Sequence, residues 1–390
     1  MLRSLYSGIS GLRSHQTMLD VTGNNIANVN TAGFKSSTTQ FQDTLSQMTQ
    51  GAGGPQTGIG GTNPAQVGLG VQVAGISTNF AQGSAQATGK ATDLMISGDG
   101  FFVTRLGNDT VYTRAGAFDF DADGRLVSAD GKIVQGYSAT NGVVNDGGAV
   151  GDIMLPLNGA APATATTGAN VAGNLPSETA VGETLTRDSK VYDAFGTERT
   201  LTLSFTRTAG GWNVTGTDGV GAPGSTALTF TDGAQNGAGS LTVGGITVDL
   251  SKVTGFAALN TVAVTDQNGR EAGTLKGFSL SKDGTLVGQF SNGESLAVGR
   301  IALATFANPG GLEKSGSSGY RATANSGNAA LGVPGSPGVG SLASGTLEMS
   351  NVDLSQEFTN LIVAQRGFQA NARIITTSDE VLQELTNLKR

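Results

Sequence analysis

The residues best spaced to do chemistry are the aspartates of Asp119-Phe120-Asp121-Ala122-Asp123-Gly124, with Asp130 at the twelfth position. That spacing matches positions 1, 3, 5, 6 and 12 of a calcium loop, except that Asp stands where the loop needs a bidentate Glu. In an extended chain Asp119, Asp121 and Asp123 share one face and Phe118 and Phe120 the other, and no helical pattern flanks them. A hairpin turn is therefore preferred to a metal loop. The 30 Asp and Glu residues offer no pair that the sequence alone sets at a hydrolase separation. His15 is the only histidine and there is no cysteine, so no thiolate site, disulfide framework or cysteine nucleophile exists. Gly68-x-Gly70 lacks the third glycine of a dinucleotide loop, and no phosphate-loop lysine motif occurs. The sequence thus assigns no catalytic residue, no metal ligand and no cofactor.

The bulk properties agree. In 390 residues there are 61 glycines and only 14% charged residues, which points to tight turns and short strands in more than one domain. The formal net charge of -7 comes without a basic block, so nucleic acid is excluded as a partner. No eighteen consecutive residues are apolar, so no membrane insertion is expected. The opening MLRSLYSGISGLRSHQTMLDVTGNN interrupts its apolar residues with Ser, Gly, Arg and His. It does not read as a cleaved leader, and an exported protein would need another route.

Whatever the chain does must then be done by its elements, and the two ends stand out. Leu5, Leu12, Leu19 and Ile26 lie seven apart, with Leu2 and Ile9 three residues before two of them, which is a coiled-coil seam weakened by Gln16 and Gly23. Gly8 and Gly11 each cost a helix up to about 1 kcal/mol relative to Ala but permit close backbone approach. At the other end Leu347, Leu354, Leu361, Phe368, Ile375 and Leu382 keep the same period, flanked by Phe358, Ile362, Ala372 and Leu385. Asp353, with Gln356 three residues on, reads as an N-cap and its reciprocal partner, so a helix is expected from Leu354, roughly 50 Å long if continuous to Leu388. Two narrow seams at opposite ends leave a thin rod whose remaining surface needs neighbours, an arrangement suited to a polymer.

Between the ends the pattern is strand and turn. Six of the eleven residues 51–61 are glycine, which reads as an irregular connector, and PGSPGVG at 334–340 is a second break. Met95-Ile96, Phe101-Phe102-Val103, an alternation from Val111 to Phe120, Leu126-Val127 and Ile133-Val134 around Asp130-Gly131 form one strand set. Phe278, Leu280, Leu286, Val287 and Phe290 around Asp283-Gly284 and Asn292-Gly293, then IALATF at 301–306, form a second. TLTLSF at 200–205, a Gly210-Gly211 turn, then Trp212 and Val214 mark a hairpin within an insertion. The expected fold class is α+β multidomain: terminal helices forming a coiled-coil domain (1–30 plus 354–390), connectors at 31–74 and 334–353, an inner β domain (75–145 plus 273–333) and an outer β domain (146–272).

These segments together resemble a known family. GNNIANVNTAGFK at 23–35 resembles the signature of the flagellar rod and hook family, placing weight on Asn24, Asn25, Asn28, Asn30, Thr31, Gly33, Phe34 and Lys35. Residues 350–388 are similar to that family's closing helix, and GDGFFVT at 98–104, YTRAGAF at 112–118 and GRLVSADGKIVQGY at 124–137 to its shared β domain. VYDAFGTERTLTLSFTR at 191–207 looks like the outer-domain motif of hook proteins, which favours a hook subunit over a distal rod subunit. A secreted β-rich binding or hydrolytic protein is the weakest alternative. The resemblance implies a structural homopolymer in the extracellular flagellum, no enzyme, exported through the flagellar export apparatus with its terminal helices unfolded until assembly. It also implies a hook cap, a distal rod protein and a hook-filament junction protein as partners. The expected assembly interface is Leu2, Leu5, Ile9, Leu12, Leu19, Ile26, Leu354, Phe358, Leu361, Phe368, Ile375 and Leu382.

Overall fold

The computed structural model describes residues 2–55, 57, 58, 60–140, 142–157, 159–237 and 239–387, and for Leu2 the backbone only. The chain divides into two compact units. The first comprises Met1–Leu155, Ser279–Val287 and Ala297–Arg390, and the second Pro156–Phe278 and Gly288–Leu296.

In the first unit, helix α1 spans Leu2–Ala27 and helix α2 spans Leu354–Asn387. They pack on each other. α2 starts where the cap residue requires: Asp353 Oδ1 accepts the backbone N–H groups of Ser355 (2.8 Å) and Gln356 (3.3 Å). The reciprocal bond expected of Gln356 does not form, because its side chain donates one turn onward to Asn360 Oδ1 at 3.2 Å.

The segment between α1 and the inner strands is more ordered than its glycine content suggests. Ser37–Asp43 pairs antiparallel with Val71–Thr78, and Ser46–Gln50 with Ala65–Gly68. The latter two strands form an arm that Gly53 and Thr62 extend by an isolated bridge. The second expected break, 334–340, is turn and bend, but the rest of the connector expected at 334–353 carries strands: Ser341–Ser344 pairs with Leu94–Ser97, and Thr346–Glu348 with Ala85–Ala87. Glycine lowers strand propensity, but hydrogen bonding to a partner strand outweighs that weak local preference.

The main sheet of this unit has the order Ser295–Ile301, Ile133–Thr140, Phe101–Leu106, Asp109–Thr113, Gly319–Arg321, Glu313–Gly316. The expected alternation from Val111 to Phe120 breaks at residues 114–117 into two strands, Asp109–Thr113 and Phe118–Phe120. Phe101, Val103, Tyr112, Ala304 and Tyr320 form a core against which Phe80 and Phe306 pack, with ring centroids 4.8–5.9 Å apart and tilted edge to face.

The second unit is a β-sandwich. One sheet is a meander of Thr184–Tyr192, Glu198–Thr208, Gly211–Thr217, Gly224–Thr231 and Ala234–Asn236. The other has the order Ser240–Val243, Ile246–Thr254, Gly168–Asn174, Ala263–Gln267, with Gly168–Asn174 parallel to Ile246–Thr254. The inward residues Leu201, Leu203, Phe205, Trp212 and Val214 of the first meet Val171, Leu241, Val243, Val248 and Leu250 of the second, as two facing sheets with period-2 patterning require.

Candidate functional site: closure of the two chain ends

α1 runs directly into the 24–35 segment, where the N-terminal chain meets the C-terminal chain around a buried ionic cluster. Gly33 sits at φ +68°, and a Cβ there would lie 2.4 Å from the Ala115 nitrogen, so only glycine fits. Its N–H donates to the Glu348 carbonyl at 2.7 Å. Two residues on, Lys35 is fully buried, and its Nζ donates to the Ala81 carbonyl (2.7 Å) and to Glu348 Oε1 (2.6 Å). Glu348 Oε1 also accepts the Gly83 N–H at 2.9 Å. Arg114, 3% exposed, brings Nη1 within 3.5 Å of Glu348 Oε2 and lies over the Phe101 ring at 5.3 Å.

One carboxylate therefore answers two buried cations. Burial pulls the Lys35 ammonium below its ordinary value, opposed by the hydrogen bond and charge of Glu348. Burial likewise lowers Arg114, with Glu348 and Asp99 opposing. Burial pushes the neighbouring Tyr320 phenol up to about 12. Removing water from such charges costs several kcal/mol each, so the cluster contributes less to net stability than to specifying which segments must meet.

An amide network completes the closure. Asn25 Oδ1 accepts the Ser37 N–H (3.0 Å), and its Nδ2 donates to the Ser37 carbonyl (2.8 Å) and to Glu357 Oε1 on α2 (3.1 Å). Asn351 Oδ1 accepts the Ser36 N–H (2.8 Å), and its Nδ2 donates to the carbonyls of Asn79 (2.8 Å) and Ala81 (3.0 Å). The motif is thus sorted by direction. Asn25, Gly33 and Lys35 point inward and are buried, Asn30 is exposed, and Asn24, Asn28, Thr31 and Phe34 line an outward cleft.

Along the helix pair, the closest contacts are made by small and polar residues. Gly8, Gly11, Ser14, Thr22 and Asn25 are the buried positions of α1, and Glu357 and Ala364 those of α2. A Cβ on Gly11 would lie 2.6 Å from the Asn371 side chain, and one on Gly367 2.5 Å from the His15 ring. The expected seam residues Leu5, Ile9, Leu12, Leu19, Ile26, Leu361, Ile375 and Leu382 are half-buried, whereas Leu354, Phe358 and Phe368 are exposed. The Leu2 side chain and Leu388 lie outside the described residues. Ile362, Val363, Ile374, Val381 and Leu385 are also exposed, so one chain leaves much of the apolar surface of α2 in water.

The aspartate loop behaves as a turn. Asp121 Oδ1 accepts the N–H groups of Asp123 (3.0 Å) and Arg125 (2.8 Å), Arg125 pairs with both Asp121 and Asp123 at 2.8 Å, and Lys90 pairs with Asp119 at 2.9 Å. Asp130 pairs with Lys132 across the next turn. Among the described residues no three His, Asp or Glu side chains gather in a metal-holding group, and no helix is long and apolar enough to cross a membrane.

No local pattern marks Arg114, Glu348, Asn351 or Glu357 as partners of the motif. Lys35 and Glu348 are 313 residues apart, a pairing no periodicity reports. A lone charged residue inside an apolar or glycine-rich stretch was the one available signal.

Known families match at the same places. Residues 5–35 match the flagella basal body rod protein family, residues 95–170 the flagellar hook protein FlgE/F/G D1 domain, and residues 343–388 the flagellar basal body rod FlgEFG protein C-terminal family. The flagellar hook protein FlgE of Borreliella burgdorferi is 41% identical, and that of Treponema pallidum 39%, each covering 100% of both chains. The flagellar basal-body rod protein FlgG of Bacillus subtilis is 37% identical, again over 100% of both. A crystal structure of Helicobacter pylori flagellar hook protein FlgE2 covers 68% of this chain and 100% of its own at 15% identity, with a TM-score of 0.49. The class these matches define is a structural component of the bacterial flagellum. The chain belongs to the family of flagellar hook and basal-body rod proteins.

Proposed function

We propose that this chain is the subunit of the flagellar hook, polymerising into a curved, flexible tube that carries motor torque from rod to filament. The observation that carries the reading is the uncovered apolar surface of α2, with Phe358, Ile362, Val363 and Val381 each about half exposed or more. Each such side chain, already half covered, gains about 0.8–1.5 kcal/mol when the rest is buried. Copies stacking through this surface by a contact that does not close on itself make a tube. Full-length relatives named as hook protein at 41% and 39% identity support hook over distal rod, and so does a separate β-sandwich large enough to stand outside a tube. A distal rod subunit is the second reading, favoured by the full-length rod relative at 37%.

In this reading the subunit leaves the cell through the flagellar export apparatus. It is added beneath a hook cap, onto a distal rod protein, and is followed by a hook-filament junction protein. The arm formed by 46–50 and 65–68 would absorb changes of spacing as the tube bends. Its role is mechanical, with no catalytic residue, cofactor or metal. Electron microscopy of tubes grown from the purified chain tests this: a curved tube supports the hook, and a straight one the rod. Phe358→Asp with Ile362→Asp alters only exposed positions, so tube growth should stop while the circular dichroism of the monomer is kept. Normal tubes from that variant would defeat the proposal.

A further inference from the structure

We propose that the cleft between the end of α1 and the hairpin of strands Glu313–Gly316 and Gly319–Arg321 receives a carboxylate side chain from a second copy of this chain, with Lys314 as its partner. The second copy rests on the polymer reading above. One wall of the cleft, about 280 Å³ in volume, is formed by Asn24, Asn28, Thr31 and Phe34, and the other by Lys314 and the Ser317-Ser318 turn.

Lys314 is the reason to expect an anion. Its Nζ donates to Ser37 Oγ at 2.8 Å and lies 5.3 Å from the centre of the Phe34 ring, and no carboxylate among the described residues pairs with it. The side chain is exposed along much of its length, and the partial cover over its ammonium lowers its pKa with no negative group opposing, whereas the fully buried Lys35 has Glu348. A partly covered ammonium without an opposite charge gains from one that arrives later, through a short charge-assisted hydrogen bond.

The turn adds a second, independent observation. Ser317 (φ +48°) and Ser318 (φ +52°) are both left-handed, a conformation for which a two-residue hairpin ordinarily uses Asn-Gly. Two serines there keep a strain of order 1 kcal/mol each or more and place two hydroxyl donors on the cleft wall. On the 24–34 wall Asn28 Nδ2 already donates to Asn24 and Thr31 Oγ1 to Asn28 Oδ1, which holds that wall in shape. Serine hydroxyls beside an ammonium suit a carboxylate better than an apolar side chain. With 30 acidic against 23 basic residues, the surface of another copy offers carboxylates in excess.

The test is zero-length cross-linking of assembled tubes with a water-soluble carbodiimide. The Lys314 amine attacks the activated carboxylate, forming an amide and releasing the reagent as a urea, and peptide mapping of tubes mixed from isotopically light and heavy chains separates links between copies from links within one. The expected result is a Lys314 link to Asp or Glu of another copy, present in tubes and missing from monomers. Lys314→Arg keeps the charge and should assemble normally without the link. Lys314→Met should raise the critical concentration about tenfold and flatten its dependence on salt, with an unchanged monomer spectrum. Tubes without a Lys314 link between copies, or a Lys314→Met chain that assembles like the parent, would overturn the inference and leave the polymer reading intact. Failure of the unaltered chain to form any tube would overturn both.

Discussion

Replacing Glu348 by Gln keeps the shape of the side chain and removes the one negative charge that, among the described residues, is bonded to Lys35. The Lys35 ammonium would lose a 2.6 Å charge-assisted bond and Arg114 its ion pair at 3.5 Å, and both cations would stay buried. Breaking a buried pair by removing one partner costs about 3–5 kcal/mol. The Gly83 N–H, bonded to Glu348 Oε1, and the Gly33 N–H, bonded to the Glu348 carbonyl, report that loss directly. Their hydrogen exchange should speed up by roughly 10²- to 10⁴-fold. The pH response is a second arm. Burial holds Lys35 below its ordinary 10.5, so in the rising-pH range between its folded value and 10.5 the unfolded chain binds more protons than the folded one. Stability from this group then increases with pH, and the variant, lacking the opposing pull of Glu348, should recover over a wider alkaline range than the parent. Adding Lys35→Met to the Glu348→Gln chain should restore part of the loss. A Glu348→Gln chain whose Gly33 and Gly83 protection is unchanged, or one that Lys35→Met makes worse, would refute the reasoning.

Asn25→Asp would exchange a donor for a carboxylate 3.1 Å from Glu357; chemical denaturation should show a loss of about 2 kcal/mol or more near neutral pH that shrinks in acid as one carboxyl takes a proton. Gly367→Ala would drive a methyl to 2.5 Å from the His15 ring; the thermal transition followed by circular dichroism should fall by about 1–3 kcal/mol, and His15→Ala in the same chain should return most of it. Tyr320, raised from 10.0 to about 12 by burial, keeps its proton when the unfolded chain has lost it. Its contribution therefore declines as pH rises from 10 to 12, by up to roughly 3 kcal/mol, and Tyr320→Phe should flatten that decline in denaturation curves against pH.

Much of the secondary structure could be read in advance because its signals are local. The seven-residue spacing marked both helices, and the Asp130-Gly131, Asp283-Gly284 and Asn292-Gly293 pairs all fall in turns with glycine at positive φ. Leu201, Leu203 and Phe205 alternate as a buried strand face must. What escaped was set by partners distant in sequence. The strands at 46–50, 65–68, 341–344 and 346–348 are glycine-rich or polar and form only because another strand supplies their hydrogen bonds. The parallel pairing of 168–174 with 246–254 has no turn to announce it. On the helices the leucine period was visible, yet the tightest approach belongs to glycine set against asparagine and histidine, which hydropathy patterns do not score. The family motif drew attention to Lys35 without naming the carboxylate it needs.

That carboxylate reaches the ribosome's exit very late. Lys35 and Glu348 are separated by 313 residues, so at synthesis rates of about 5–20 residues per second the lysine waits on the order of 15–60 seconds for its counterion. Until then, tucking Lys35 into the interior would bury a charge with nothing to meet it. The early third of the chain is thereby discouraged from closing its interior prematurely, while the second unit, with a core of its own, need not wait for that pair.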